Sequence, residues 1–212
     1  MSSHGPISVV PPAFLEALAA VRRTSCRSEL RLEEIPAPAR LAPYALALAA
    51  DVHERVPRST LGAAKAGVDP HQAIHGEELA TGRFILLHDP AGSALWDGDF
   101  RIVTYIRARM ESEMGNDTML GSVAWTWLVD ALTESGAEYR QAGGTATRVL
   151  SESYGTLAER NDTIDIELRA SWTPGDGNIS AHLEAWADMV CTFAGLPPLP
   201  SGVTALPHRR FS

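Results

Sequence analysis

Ile164-Asp165-Ile166-Glu167-Leu168-Arg169-Ala170-Ser171-Trp172 places apolar side chains at even positions and polar or small ones at most odd positions. A period of two is that of a β-strand with one face in a core and the other in water, and beside the less cleanly two-sided Leu79–His88 and Phe100–Met110 it suggests a place nearer the sheet edge. Upstream, a loop with Gly155 and Asn161-Asp162 joins this run to a strand predicted from about Thr145 to Tyr154, and the two should form an antiparallel hairpin. Downstream, Pro174, Gly175 and Gly177 break the chain. Asn178 can then cap a helix whose stripe is Ile179, Leu183, Trp186, Ala187, Val190 and Ala194, stopped by Gly195 and Pro197-Pro198.

Working toward the N-terminus, Asp117 or Thr118 can cap a second helix. Its stripe is Leu120, Val123, Ala124, Trp127, Leu128, Ala131 and Leu132, and Gly136 ends it. Phe100, Ile102, Thr104, Ile106 and Ala108 mark a strand with Arg101, Val103, Tyr105, Arg107 and Arg109 on its reverse. Leu79–His88 is apolar on both sides, as strands covered on both faces are, and Asp89-Pro90-Ala91-Gly92 is a turn. Tyr44 to His53 alternates large with small residues; its alanines favour helix by propensity, but Pro43 and the neighbouring strands favour extension. Leu30-Arg31-Leu32-Glu33 reads as a short strand, closed by Pro36 and Pro38. Phe14, Leu15, Leu18 and Val21 after Pro11-Pro12 give a first helix ending near Arg23.

The predicted fold is α+β, an antiparallel sheet of five or six strands with helices mainly on one face, in the order α-β-β-(β)-β-α-β-β-α. Residues 11–198 form one domain, with loose tails at 1–10 and 199–212 and a flexible insertion at about 54–77, which carries Gly and Pro and shows no period.

The chain has 212 residues, is 45% hydrophobic and carries a formal charge of −8. This length buries roughly 70% of the unfolded surface and needs no staples. Cys26 and Cys191 suggest neither a disulfide scaffold nor a zinc site, and fit a reducing cytoplasm. The N-terminus lacks the cationic and apolar segments of a signal peptide, and no apolar run has the length of a membrane helix. The acidic balance and scattered arginines give no basic run for nucleic acid.

Motifs for catalysis are weak. His71 and His75, four apart beside Asp69, have a metal-ligand spacing but share a Pro-containing loop, so no metal site is expected. His88 and Asp89 are adjacent on a strand and point to opposite faces, which favours a turn over an acid–base pair. Gly143-Gly144-Thr145 precedes a strand rather than a helix, so it does not cradle phosphate, and no cofactor is expected. Two apolar surfaces stand out instead. One is the reverse of the sheet, with Ile85, Leu87, Val103 and Tyr105; either it is covered by the first helix or the 54–77 segment, or it binds something. The other is a Trp125–Val129 pair on the second helix. A polar alternative joins Arg169, His182 and Glu184 in a cleft between the sheet and the last helix, with His182 solvated in the plainer reading and Glu184 repelled by Asp188 at i+4.

The segments Leu32–Val52, Glu78–Gly92 and Ser180–Pro198 resemble an actinobacterial family of small cytoplasmic proteins of unknown function. The resemblance spans roughly residues 29–198 and implies no activity and no catalytic residues. It implies a gene neighbourhood near a ribonuclease-D-like exonuclease. The element order also resembles the chaperone fold of type III secretion, whose members are often acidic dimers that bind polypeptides; a fold does not fix a function. The leading expectation is a non-enzymatic cytoplasmic, chaperone- or adaptor-like module, a homodimer or the holder of a protein partner, without direct nucleic-acid or membrane binding. The alternatives are a small-molecule binder or enzyme using the sheet–helix cleft, and an accessory factor in RNA processing.

Overall fold

The computed structural model describes residues 10–54, 77–110, 117–175 and 177–196. The expected tails, the 54–77 insertion and the His71/His75 pair lie almost wholly outside these. The chain runs α1 (Pro12–Arg23), β1 (Leu30–Ile35), β2 (Tyr44–His53), β3 (Glu78–Ser93), β4 (Gly98–Met110), α2 (Leu120–Glu134), β5 (Tyr139–Ser151), β6 (Thr163–Pro174) and α3 (Ile179–Phe193). The six strands form one antiparallel sheet in the order β1-β2-β3-β4-β6-β5. The fold is α+β with the anticipated element order, and residues 30–35 do join the sheet.

Three expectations about strands change. β3 runs on through Asp89–Gly92 to Ser93, so the expected turn is a register irregularity inside the strand and the chain reverses at 94–97. β5 begins at Tyr139, well before Thr145, so Gly143 and Gly144 lie inside it rather than ahead of it. β6, whose clean alternation suggests a position near an edge, sits between β4 and β5, and the edges are β1 and β5. Its alternating charges report an open face, not an open edge.

Pleating separates the side chains cleanly. Leu46, Leu48, Ala50, Val52, Phe84, Leu86, Ile102, Ile106, Ile166, Leu168 and Trp172 point to one face and are buried there. The three α-helices of the described residues pack on that side, with α3 central between α1 and α2. Only Glu184 and Asp188 on α3 are exposed. Trp172 and Trp186 are both fully buried. Removing an indole from water contributes about 4–6 kcal/mol before entropy costs. Trp186 packs beside Phe84 with ring centroids 5.5 Å apart, and its edge lies over Gly82, which supplies the room.

The helix ends follow their residues. Pro12 opens α1. The Asp117 carboxylate accepts a hydrogen bond from the Met119 amide ahead of α2, and the Asn178 side chain accepts one from the Ala181 amide at the start of α3. At the far ends Gly136 and Gly195 take φ of 66° and 76°. The amides of Ala137 and Leu196 donate back to the carbonyls of Leu132 and Cys191, a Schellman closure at both helices.

Candidate functional site

The site develops on the side of the sheet that faces away from the helices. Among the described residues no helix packs there: α1, expected as one possible cover, lies on the other face, with Phe14 against Tyr44 and His88. The strands enclose an open concavity of about 840 Å³ there, reaching from Ala49 and Asp51 across to Gly143 and Ser171.

Register orders its lining into rungs. Ala49, Arg83, Tyr105, Arg169 and Thr145 lie side by side across five strands. The next rung is Ala47, Ile85, Val103, Ser171 and Gly143, apolar or small throughout. On the other side lie Asp51, Thr81, Arg107, Glu167 and Thr147. Neighbouring strands stand about 4.8 Å apart and same-face residues along a strand about 6.6–6.8 Å. The surface is therefore a shallow tray with an apolar floor beside a band of arginines.

The charges are largely committed. Arg107 pairs with the buried Asp165 at 2.5 Å, which pushes the Arg107 pKa up. Arg169 pairs with Glu167 at 2.7 Å, and its guanidinium carbon lies 5.4 Å from the Tyr105 ring centre. Burial, and then a hydrogen bond to Glu167, raise the Tyr105 pKa. Arg109 pairs with Glu77. Arg101 donates to the hydroxyls of Ser171 and Thr173 and to the Gln141 carbonyl, and burial lowers its pKa. Arg83 is exposed and, among the described residues, has no ion pair or hydrogen bond. Asp51, Asp165 and Glu167 interrupt the arginines, so the face is not a continuous basic stripe.

Of the sequence candidates, Ile85, Val103 and Tyr105 line this concavity together. Leu87 shares their face but is 4% exposed and closed off. The Trp125–Val129 pair is not an open patch. Both are half-buried, and the indole edge lies against the backbone of Gly144, where a Cβ would meet Trp125 at 2.9 Å.

The polar trio does not assemble. Arg169 is on the tray, whereas His182 and Glu184 are on α3 across the sheet. His182 is fully buried rather than solvated, its Nδ1 accepting a hydrogen bond from Trp172 Nε1 at 3.1 Å. Glu184 faces outward; burial and then Asp188 raise its pKa. Between the sheet and the helices a small pocket of about 140 Å³ reaches Leu183 of α3, but none of His182, Glu184 and Arg169 lines it. His88 stacks on Phe100 at 4.2 Å; Asp89 accepts from the Ala91 amide, but within the strand rather than in the expected turn. Sequence reasoning missed Arg83 and Arg107 as site residues; β-period placed them opposite the core, but only register shows them beside Tyr105.

No group of three His, Cys, Asp or Glu able to hold a metal occurs among the described residues. Cys26 and Cys191 both pack at the core on the helix side, and burial pushes each thiol up to about 12. Neither is a ready nucleophile. At pH 8 both should react with iodoacetamide at least tenfold more slowly in the folded protein than after denaturation; equal rates would show that one thiol is accessible.

Among the described residues, the arginine-bearing face of this α+β sheet carries no covering helix. The family described as a protein of unknown function, DUF3000, matches residues 10–204, and the chain belongs to it. No curated protein and no solved structure matches the chain. No helix among the described residues is long and apolar enough to cross a membrane.

Proposed function

We propose that this is a non-enzymatic, adaptor- or chaperone-like binding protein of the cytoplasm, whose sheet face opposite the described helices holds an acidic segment of another polypeptide. The observation that carries the reading is the tray itself: an apolar floor of Ile85 and Val103 bordered by Arg83, Tyr105 and Arg169. Apolar area supplies affinity and arginines supply orientation and selectivity toward carboxylates. Two free cysteines, Cys191 buried and Cys26 half-buried, suit a reducing compartment.

Charge selects the occupant. A chain of net charge −8 that gathers arginines on one face complements an acidic partner. An isologous contact between two copies through this face would bring the arginine-bearing patch of one copy onto that of the other. A homodimer built on another surface would leave the tray open. Nucleic acid is disfavoured because Arg107 and Arg169 are already paired with Asp165 and Glu167, which leaves Arg83 to match one carboxylate rather than a run of phosphates.

The test is photo-crosslinking in the native host, with a photoreactive phenylalanine at Ile85 and, as a control, at Thr126 on the exposed side of α2. The expected result is an adduct with an acidic protein from position 85 and none from position 126. Adducts only with a second copy of the chain, or none from position 85, overturn the reading.

A further inference from the structure

Taking that reading as its basis, we infer that the partner is recognised through an acidic residue and an apolar residue two positions apart on an extended segment, with the carboxylate on Arg83 and the apolar side chain on Ile85 and Val103. The arginine inventory leads to Arg83. Of the three arginines lining the tray, Arg107 is held by Asp165 and Arg169 by Glu167. Arg83 has Ala49 on one side in register and Tyr105 on the other, neither of which neutralises it. Arg83 thus presents an exposed guanidinium, without an ion pair among the described residues, whose planar fork matches one carboxylate.

Spacing gives the rest of the motif. Arg83 and Ile85 are two residues apart on β3, and Tyr105 and Val103 repeat that step on β4. Side chains on one side of an extended peptide recur at the same interval of about 6.6–6.8 Å. A segment lying along β3 and β4 thus presents an acid and an apolar residue at positions i and i+2 to Arg83 and to the Ile85–Val103 floor. Gly143 leaves the far end of that floor clear, since a Cβ there would meet nothing within 4 Å. The Tyr105–Glu167–Arg169 cluster acts as a fixed wall: Glu167 accepts from Tyr105 and holds Arg169, and its carboxylate disfavours a second acid at that end.

The experiment is fluorescence anisotropy with a fluorescein-labelled octapeptide repeating Glu-Ser-Leu-Ser and its counterpart repeating Gln-Ser-Leu-Ser. Each is titrated with the full chain and with the Arg83→Met, Ile85→Gln and Arg31→Met variants. Arg31 is on the same face of β1, outside the tray, and serves as the charge control. The glutamate peptide should bind the parent, and binding should weaken about tenfold or more in Arg83→Met, in Ile85→Gln and with the glutamine peptide, while Arg31→Met binds as the parent does. Equal binding by Arg83→Met, equal binding of the two peptides, or no binding to the parent overturns the inference. The crosslink at position 85 uses no synthetic peptide, so it decides separately whether the face holds a polypeptide at all.

Discussion

Gly82→Val is expected to cost roughly 3 kcal/mol or more, a large share of the stability of a typical domain. A Cβ on Gly82 would lie 2.7 Å from Cζ2 of Trp186 and 3.0 Å from a Val190 methyl. Both belong to the fully buried face of α3, so neither can swing into solvent. The indole would have to leave its place beside Phe84, or the helix would have to lift from the sheet. Gly82→Ala should cost about 1–3 kcal/mol by the same overpacking. Urea denaturation of Gly82→Ala in the parent and in a Trp186→Leu background separates this cause from backbone effects. With the indole removed, alanine should cost at least about 1 kcal/mol less. The same cost in both backgrounds would mean that Trp186 is not the obstacle.

The neighbouring glycines of β5 should respond in opposite directions. Gly143 faces the open tray, and an added Cβ meets nothing within 4 Å. Gly143→Ala should leave stability unchanged or raise it by up to about 1 kcal/mol, because the unfolded chain loses freedom. Gly144 faces α2. Its Cβ would lie 2.6 Å from the Arg169 carbonyl oxygen and 2.9 Å from the Trp125 ring. The nearer obstacle is backbone in the adjoining strand, which cannot rotate away, so Gly144→Ala should cost about 2–3 kcal/mol. Thermal and urea unfolding of the two variants side by side provide the check, and a Gly144→Ala protein as stable as the parent would contradict the packing described at this strand.

The contrast between these glycines also shows where the sequence speaks and where it is silent. Period two in Ile164–Trp172 and in Phe100–Met110 identifies strands and their buried faces, because alternation is a local property of the pleat. Gly136 and Gly195 mark helix ends because only a residue tolerant of positive φ closes a Schellman turn cheaply. Pairing partners are not local. Nothing in the charges of β6 says that β4 lies on one side and β5 on the other, which is how an interior strand reads as an edge. His182 looks like a surface residue beside Glu184 until Trp172, ten positions earlier, is seen to donate to it in the core. The reverse-face set of Ile85, Val103 and Tyr105 was legible from alternation alone, whereas Arg83 joins Tyr105 and Arg169 only through the register of three strands.

The central place of α3 bears on how the chain is made. The helix lies against β2, β3 and β4, yet it is the last of the described elements to leave the ribosome. At about 5–20 residues per second, roughly seven to thirty seconds pass between the emergence of β1 and that of α3. Through that interval Phe84, Leu86, Ile102 and Ile106 lack the tryptophan-bearing helix that seals them. Nascent chains halted before residue 179 would therefore expose an apolar sheet face of the kind that recruits holding chaperones, and release of the final helix would be the step that ends that dependence.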